Sequence, residues 1–349
     1  MNMKKIIRYF AIAAAAVLAL SCQKDIQESK AEDAKVTFSV AIPGEAGTKA
    51  AYGEEVTFTP ELHVAVYLGE NNLNGTPGQY LPDVKPVITR INNTEWEVTI
   101  TLVKNFDYDI VFWAQKDKAP YGLDWKKGTI TAKYNVPAND ITRDAFYYLC
   151  EDYNCIKYAS TPYQIELRRP FAQINMGASD YSALVELYEA LGKTESDLQT
   201  TIRSQQQIST VAMAIPSVLH VLTGVADTAA SVEFTLAATT VKDGYDLTAP
   251  ENDIVVTGTD DAGNQVSQNY TLVGTNYVFA NVAKAENPTV NLALTFEYNG
   301  QSFDVNVPNV PYARNYRTNI LGRFFTDDAA FKVIVVPEFE KDDIIKPVE

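Results

Sequence analysis

Between residues 36 and 336 apolar side chains recur mostly at every second position, the spacing of strands that bury one face. Val36, Phe38, Val40 and Ile42 alternate with Thr37, Ser39 and Ala41 before Pro43-Gly44 stops the run. A short run at 56–59 follows, and then 62–68, where Leu62, Val64, Val66 and Leu68 alternate. Asn74-Gly75 and Thr76-Pro77-Gly78 make 71–79 a long loop. Further strands are predicted at 86–91, 95–102 (Trp96, Val98, Ile100 and Leu102 on one face), 109–114, 129–134 and 145–149. The stretch 163–177 reads as two strands broken at Pro170. The period then switches. Leu184, Leu187, Tyr188 and Leu191 predict a helix over 181–191, with Asp180 as N-cap and Gly192 just past its end. A second helix over 195–205 begins behind Thr194 with Asp197 three residues on, a weak capping box. Its apolar face holds only Leu198 and Ile202, which puts it on the surface.

Strand patterns resume at 210–215, 218–222, 231–237 and 270–279. Leu292, Leu294, Phe296 and Tyr298 alternate toward Asn299-Gly300, and Phe303, Val305 and Val307 alternate back, which predicts a hairpin on a type I′ turn. The last run, 331–336, is apolar on both faces and ends at Pro337, so it should be central in a sheet or covered. Short strands, frequent turn signals and two adjoining helical stretches predict an all-β fold of two tandem β-sandwiches. The boundaries expected are 35–160 for the first and 161–340 for the second, which carries the helical insertion 181–205. A tail covers 341–349.

The first 34 residues differ in kind. Lys4, Lys5 and Arg8 precede an apolar run from Ile12 to Leu20, too short to span a bilayer, and the small Ser21 stands just before Cys22. This arrangement resembles the lipobox of bacterial lipoproteins, which implies that residues 1–21 are a signal peptide and that Cys22 is diacylated as the mature N-terminus. Ala19 stands where that pattern favours Leu. Residues 22–34 are polar and form a tether. Asp25 and Glu28 resemble the acidic signal that exports some lipoproteins of Bacteroidota to the outer leaflet, and also suit a solvated linker.

Charge and composition narrow the function classes. Loss of Lys4, Lys5 and Arg8 with residues 1–21 moves the net charge from −15 to −18. So acidic a chain repels nucleic acid and anionic lipid, and neither is expected as a partner. With 46% hydrophobic residues, including 20 Tyr and 15 Phe, there is enough apolar matter for two cores.

The catalytic inventory is poor. There is no Gly-x-Ser-x-Gly, His-Glu-x-x-His, phosphate loop or dinucleotide fingerprint, so no enzyme activity, catalytic residue or cofactor is expected. His63 and His220 both lie in strand-like runs, where a hydrogen-bonded structural imidazole is the ordinary case. With two His and two further Cys, no metal is expected. Residues 243–264 offer Asp and Asn oxygens, but Asp260-Asp261-Ala262-Gly263-Asn264 also reads as a turn and lacks the EF-hand order. Cys150 and Cys155 flank four turn-like residues and are either a disulfide across a hairpin or two buried thiols. Phe112-Trp113, Trp125 and Phe146-Tyr147-Tyr148 suit a core as well as sugar stacking.

Four stretches carry a family resemblance: 109–124 (with Phe112-Trp113-Ala114 and Ala119-Pro120-Tyr121), 142–147 (Thr-Arg-Asp-Ala-Phe-Tyr), 169–177 (Arg-Pro-Phe-Ala-Gln-Ile-Asn-Met-Gly) and 315–322 (Asn-Tyr-Arg-Thr-Asn-Ile-Leu-Gly). Together they resemble the signature stretches of fimbrillin-like lipoproteins, which build the type V pili of Bacteroidales. The resemblance implies transthyretin-like sandwiches on a palmitate-bearing anchor in the outer membrane. It also implies other fimbrial subunits, or further copies of the chain, as partners, and a host or bacterial surface ligand. In that family a trypsin-like protease cuts beyond the first strand, the strand leaves, and a strand of another subunit fills the groove. Carried over, 36–42 is the strand removed, Lys49-Ala50 the cut, and 331–339, with Phe331, Val333 and Val335, the donor. Lys49 stands where the family more often has Arg. The alternative function is a lipid-anchored glycan-binding protein of a nutrient-uptake system, which would present coplanar exposed aromatics in a groove.

Overall fold

The computed structural model describes residues 32–42, 58–69, 78–134, 140–156, 162–198, 206–209, 215–227, 253–259, 263–281, 289–298, 301–323 and 331–336. In chain order the strands are β1 (Asp33–Ala41), β2 (Pro60–Leu68), β3 (Val87–Arg90), β4 (Glu95–Val103), β5 (Asp107–Lys116), β6 (Tyr121–Asp124), β7 (Thr129–Ala132), β8 (Ala145–Asn154), β9 (Tyr163–Glu166) and β10 (Phe171–Ala178). After helix α1 (Tyr181–Ala190) come β11 (Gln206–Ser209), β12 (Val218–His220), β13 (Val225–Asp227), β14 (Ile254–Thr259), β15 (Gln265–Phe279), β16 (Thr289–Tyr298), β17 (Gln301–Pro311), β18 (Arg317–Gly322) and β19 (Phe331–Val336).

The fold is all-β. One sheet, in the order β3-β4-β1-β9, packs on the three strands β2-β5-β8, and their facing side chains make one core. Along β4 the alternation is clean, with Trp96, Val98, Ile100 and Leu102 buried between exposed or half-buried neighbours. Strand β5 instead buries both faces, because the far side of its sheet meets a second core. Ala65, Tyr67, Val111, Trp113 and Tyr147 line that side, and the core continues into the sheet β14-β15-β10-β18-β19 and, through Val290, Val307 and Val310, to the strands β11-β16-β17.

A fifth sheet, β13-β12-β7-β6, draws two strands from each half of the chain; Val218 to His220 pair with Thr131 to Thr129. Tyr163–Glu166, expected at the start of the second unit, runs parallel to β1 and so completes the first sheet. Leu167 still packs in the first core and Phe171 in the second, and between them Pro170 withholds a backbone donor. Strands β6, β13 and β14 carry too few residues, or too mixed a pattern, to be anticipated from spacing.

The helix forms as expected but turned. Tyr181, Leu184 and Tyr188 are buried, whereas Leu187 and Leu191, placed by spacing on the inner face, are exposed. Asp180 makes no side-chain cap bond, whereas the C-terminus closes as a Schellman motif, with Gly192 N–H donating to Glu189 O and Lys193 N–H to Tyr188 O around a Gly192 φ of +71°. Beyond it Thr194 and Asp197 bond reciprocally, Thr194 N to Asp197 Oδ2 at 2.8 Å and Asp197 N to Thr194 Oγ1 at 3.2 Å, and helical turns begin at 195. The expected hairpin is present, with Tyr298 opposite Gln301 and two residues left for the turn.

Candidate assembly site

β1 occupies the middle of its sheet. Nine residues, Asp33 to Ala41, pair antiparallel with Val103 to Glu95, and Phe38 to Ala41 pair in parallel with Tyr163 to Glu166. Val36, Phe38, Val40 and Ile42 are at most 4% exposed and share the first core with Phe112, Cys150, Tyr153 and Ile165. Phe38 lies 4.9 Å from the Tyr153 ring, 5.5 Å from Phe112 and 6.1 Å from Tyr163. At about 1.5–3 kcal/mol per buried apolar side chain, the four contribute roughly 6–12 kcal/mol before the entropy of ordering the strand.

The ends of β1 are pinned more lightly. Lys104 Nζ bonds Glu32 Oε2 at 2.7 Å on the surface, which lowers the Glu32 carboxyl and raises the Lys104 ammonium from their ordinary values, and Ile42 N donates to Thr94 O. The outer face of the same sheet carries a shallow groove of about 270 Å³ lined by Thr37, Ser39, Glu95, Glu97, Gln164 and Ile91 among others.

The expected site residues fall in different places. Cys22, Lys49 and Ala50 lie outside the described residues, as do 47–51, 71–77, 231–237 and 341–349. Phe331, Val333 and Val335 sit on β19, opposite Gly322, Ile320 and Thr318 of β18, at the edge of the five-strand order among the described residues.

Cys150 and Cys155 do not face each other across a hairpin. Cys150 sits within β8, opposite Ile110, whereas Cys155 lies in the turn just past the strand's end, so the two do not oppose each other across paired strands. Both are free and buried; Cys155 Sγ donates to Val103 O at 3.6 Å, and burial pushes the Cys150 thiol up to about 12. A thiol reagent should therefore leave both unmodified in the native chain. Displacement of β1, which roofs the same core, should open them to modification, read as mass added per chain.

His220 Nε2 lies 3.2 Å from Asp227 Oδ2, whereas His63 Nε2 is buried with no hydrogen-bond partner, contrary to the expectation of a satisfied imidazole. Burial pushes the His63 pKa below its ordinary value. The unfolded chain then binds the extra proton first, so stability should decline as pH falls below about 6.5 and level off below the folded pKa. In His63→Gln that part of the pH dependence should disappear from urea midpoints measured between pH 7.5 and 5.

The stretches that carry the family resemblance converge on the seam between the two cores. Asp144, just before β8, and Arg169, just before β10, form an ion pair with Nε 2.8 Å from both carboxylate oxygens, and neither side chain is more than 2% exposed. Burial pushes the Asp144 carboxyl up against the pull of Arg169. Phe171 stacks on Phe279 at 4.9 Å and meets Trp113 and Tyr121 edge-on or tilted. Tyr121 Oη donates to Arg143 O, Tyr147 Oη to Val221 O, and Asn175 Nδ2 to Asn319 Oδ1. At Gly177 a Cβ would come within 2.9 Å of Leu321, Ile254 and Tyr270, so only glycine fits. Periodicity missed this seam; 142–147 and 169–177, which hold Asp144 and Arg169, stand out in the sequence only through the family resemblance.

Among the described residues no group of three His, Cys, Asp or Glu is placed to hold a metal, and no helix is long and apolar enough to cross a membrane. The exposed large apolar side chains among them are Val, Ile and Leu, such as Val87 and Ile91, and none is aromatic.

The family described as "family of unknown function (DUF6562)" matches residues 27–347. No curated protein matches the chain. Among solved structures, the tip fimbrial protein Mfa3 from Porphyromonas gingivalis, with a C-terminal truncation, aligns at 10% identity and a TM-score of 0.41, covering 88% of this chain and 100% of that one. A fimbrial assembly protein from Parabacteroides distasonis aligns at 12% identity and a TM-score of 0.35, covering 90% and 100%.

Proposed function

This chain belongs to the DUF6562 family, and from that premise we propose that it is a fimbrillin-like structural subunit or adhesin, anchored at the cell surface through Cys22, that assembles by exchange of β1. The observation that carries the reading is β1 itself: a strand in mid-sheet whose inward side chains supply one wall of a core. Its removal would open an apolar groove with one antiparallel edge on β4 and one parallel edge on β9. A strand entering that groove gains main-chain bonds on both sides, and alternate apolar side chains fix its register.

Cleavage after Lys49 would free β1, and the strand carrying Phe331, Val333 and Val335 from another copy has the alternation to replace it. In the described sheet that strand is bonded on one side only, to β18. On this reading the work is assembly and contact at the outer membrane.

Limited trypsin treatment of the purified soluble chain, followed by size analysis, tests this reading. A single cut near Lys49 with conversion to oligomers is the expected result. Polymer isolated from native cells should begin at Ala50 on N-terminal sequencing, and subunits still beginning at Cys22 would refute exchange.

A further inference from the structure

β9 has one ladder among the described strands, and it is with β1. The next backbone bond along, Leu167 N to Ala41 O at 2.8 Å, also goes to β1. Every described backbone bond that holds 163–167 is thus lent by the one strand that lies next to it. The first independent fixture is Arg168, which exchanges two backbone bonds with Tyr147 at 2.8 and 3.0 Å. Arg169 follows, clamped to Asp144 at the start of β8, with its guanidinium 4.8 Å from the Phe146 ring. Past Pro170 the chain enters β10, the middle of the five-strand sheet.

We infer that 163–167 is a latch released whenever β1 leaves, and that the Asp144–Arg169 pair is the stop that keeps the release out of β10 and the second core. The inner side chains of the latch do not hold it alone. Tyr163 meets Phe38 and Tyr153 edge-on and hydrogen-bonds at its side chain with Tyr148 and Cys150 of β8, and Ile165 packs in the core that Val36, Phe38 and Val40 vacate. The stop, by contrast, owes nothing to β1. Its partners come from β8 and from the segment that opens β10, and breaking it strands a buried charge. The latch would therefore report whether the groove is filled, and the second unit would keep its shape in either state. This holds for any process that removes β1, whether or not another copy then takes its place.

Hydrogen exchange on the full chain tests the inference. Phe38→Asp puts a carboxylate into the core and expels β1. Amides of 163–167 should then lose protection by about a hundredfold or more, to the level of unpaired backbone, while 171–178 and the hairpin 289–311 keep theirs. A synthetic peptide of residues 32–42 added in excess should restore 163–167. In the double variant Phe38→Asp/Asp144→Asn the loss should extend through Phe171–Gln173. Retained protection at 163–167 after β1 is expelled, or failure of the peptide to restore it, overturns the latch. Loss at 171–178 with Asp144 intact overturns the stop, including where Phe38→Asp unfolds the first sandwich altogether.

Discussion

Asp144→Asn should lower the free energy of unfolding by about 3–5 kcal/mol, among the largest effects a single substitution in this chain can have. The change is nearly isosteric, so no cavity opens; what is lost is the counter-charge. Arg169 stays 2% exposed and positively charged, with its Nε and one terminal nitrogen now facing a neutral amide. Urea unfolding at constant pH measures the loss, and the slope of the transition should hold while its midpoint falls. Replacement of both partners, as Asp144→Leu with Arg169→Met, should recover most of the difference, because a matched apolar pair costs no desolvation. A double variant as unstable as the single one would mean that the pair matters through geometry rather than charge.

Phe38→Ala should cost about 3–5 kcal/mol. The ring is fully buried and packs against three aromatic neighbours from β5, β8 and β9, so its truncation leaves a cavity among them. Thr37→Ala on the outer face of the same strand should stay within about 0.5 kcal/mol. The contrast between adjacent residues separates the groove from the strand's intrinsic propensity, and unfolding curves of the two variants are enough to measure it. A second readout is trypsin sensitivity. Phe38→Ala should be cut faster in the segment following β1, since weaker seating raises the population in which β1 is detached.

Spacing revealed the strands whose two faces meet different surroundings. β4, with core on one side and solvent on the other, shows it most clearly, and β1 follows the same rule. The pattern is a local record of burial and carries no address for the partner. For that reason Tyr163–Glu166 was legible as a strand and not as the neighbour of β1, and 145–149 was read as ending before Cys150 although β8 runs to Asn154. Strands of three or four residues such as β6 and β13 complete too little of a period to register. Leu187 and Leu191 satisfied helical spacing as well as Leu184 does, yet the seam through Tyr181, Leu184 and Tyr188 won. Charged residues at the buried seam run against hydropathy altogether. Asp144 and Arg169 look like surface residues one at a time and become core residues only as a pair.

The sheet made of β6, β7, β12 and β13 has a consequence for how the molecule can be divided. Because its middle ladder joins Thr129–Ala132 to Val218–His220, a break in the chain between 156 and 162 would leave two fragments that each carry half of a common hydrogen-bonded surface. Either piece alone would expose raw strand edges, and the two made separately should associate on mixing, which size analysis of the mixture would read. The two halves should therefore behave as a complementation pair, each needing the other to close that shared surface.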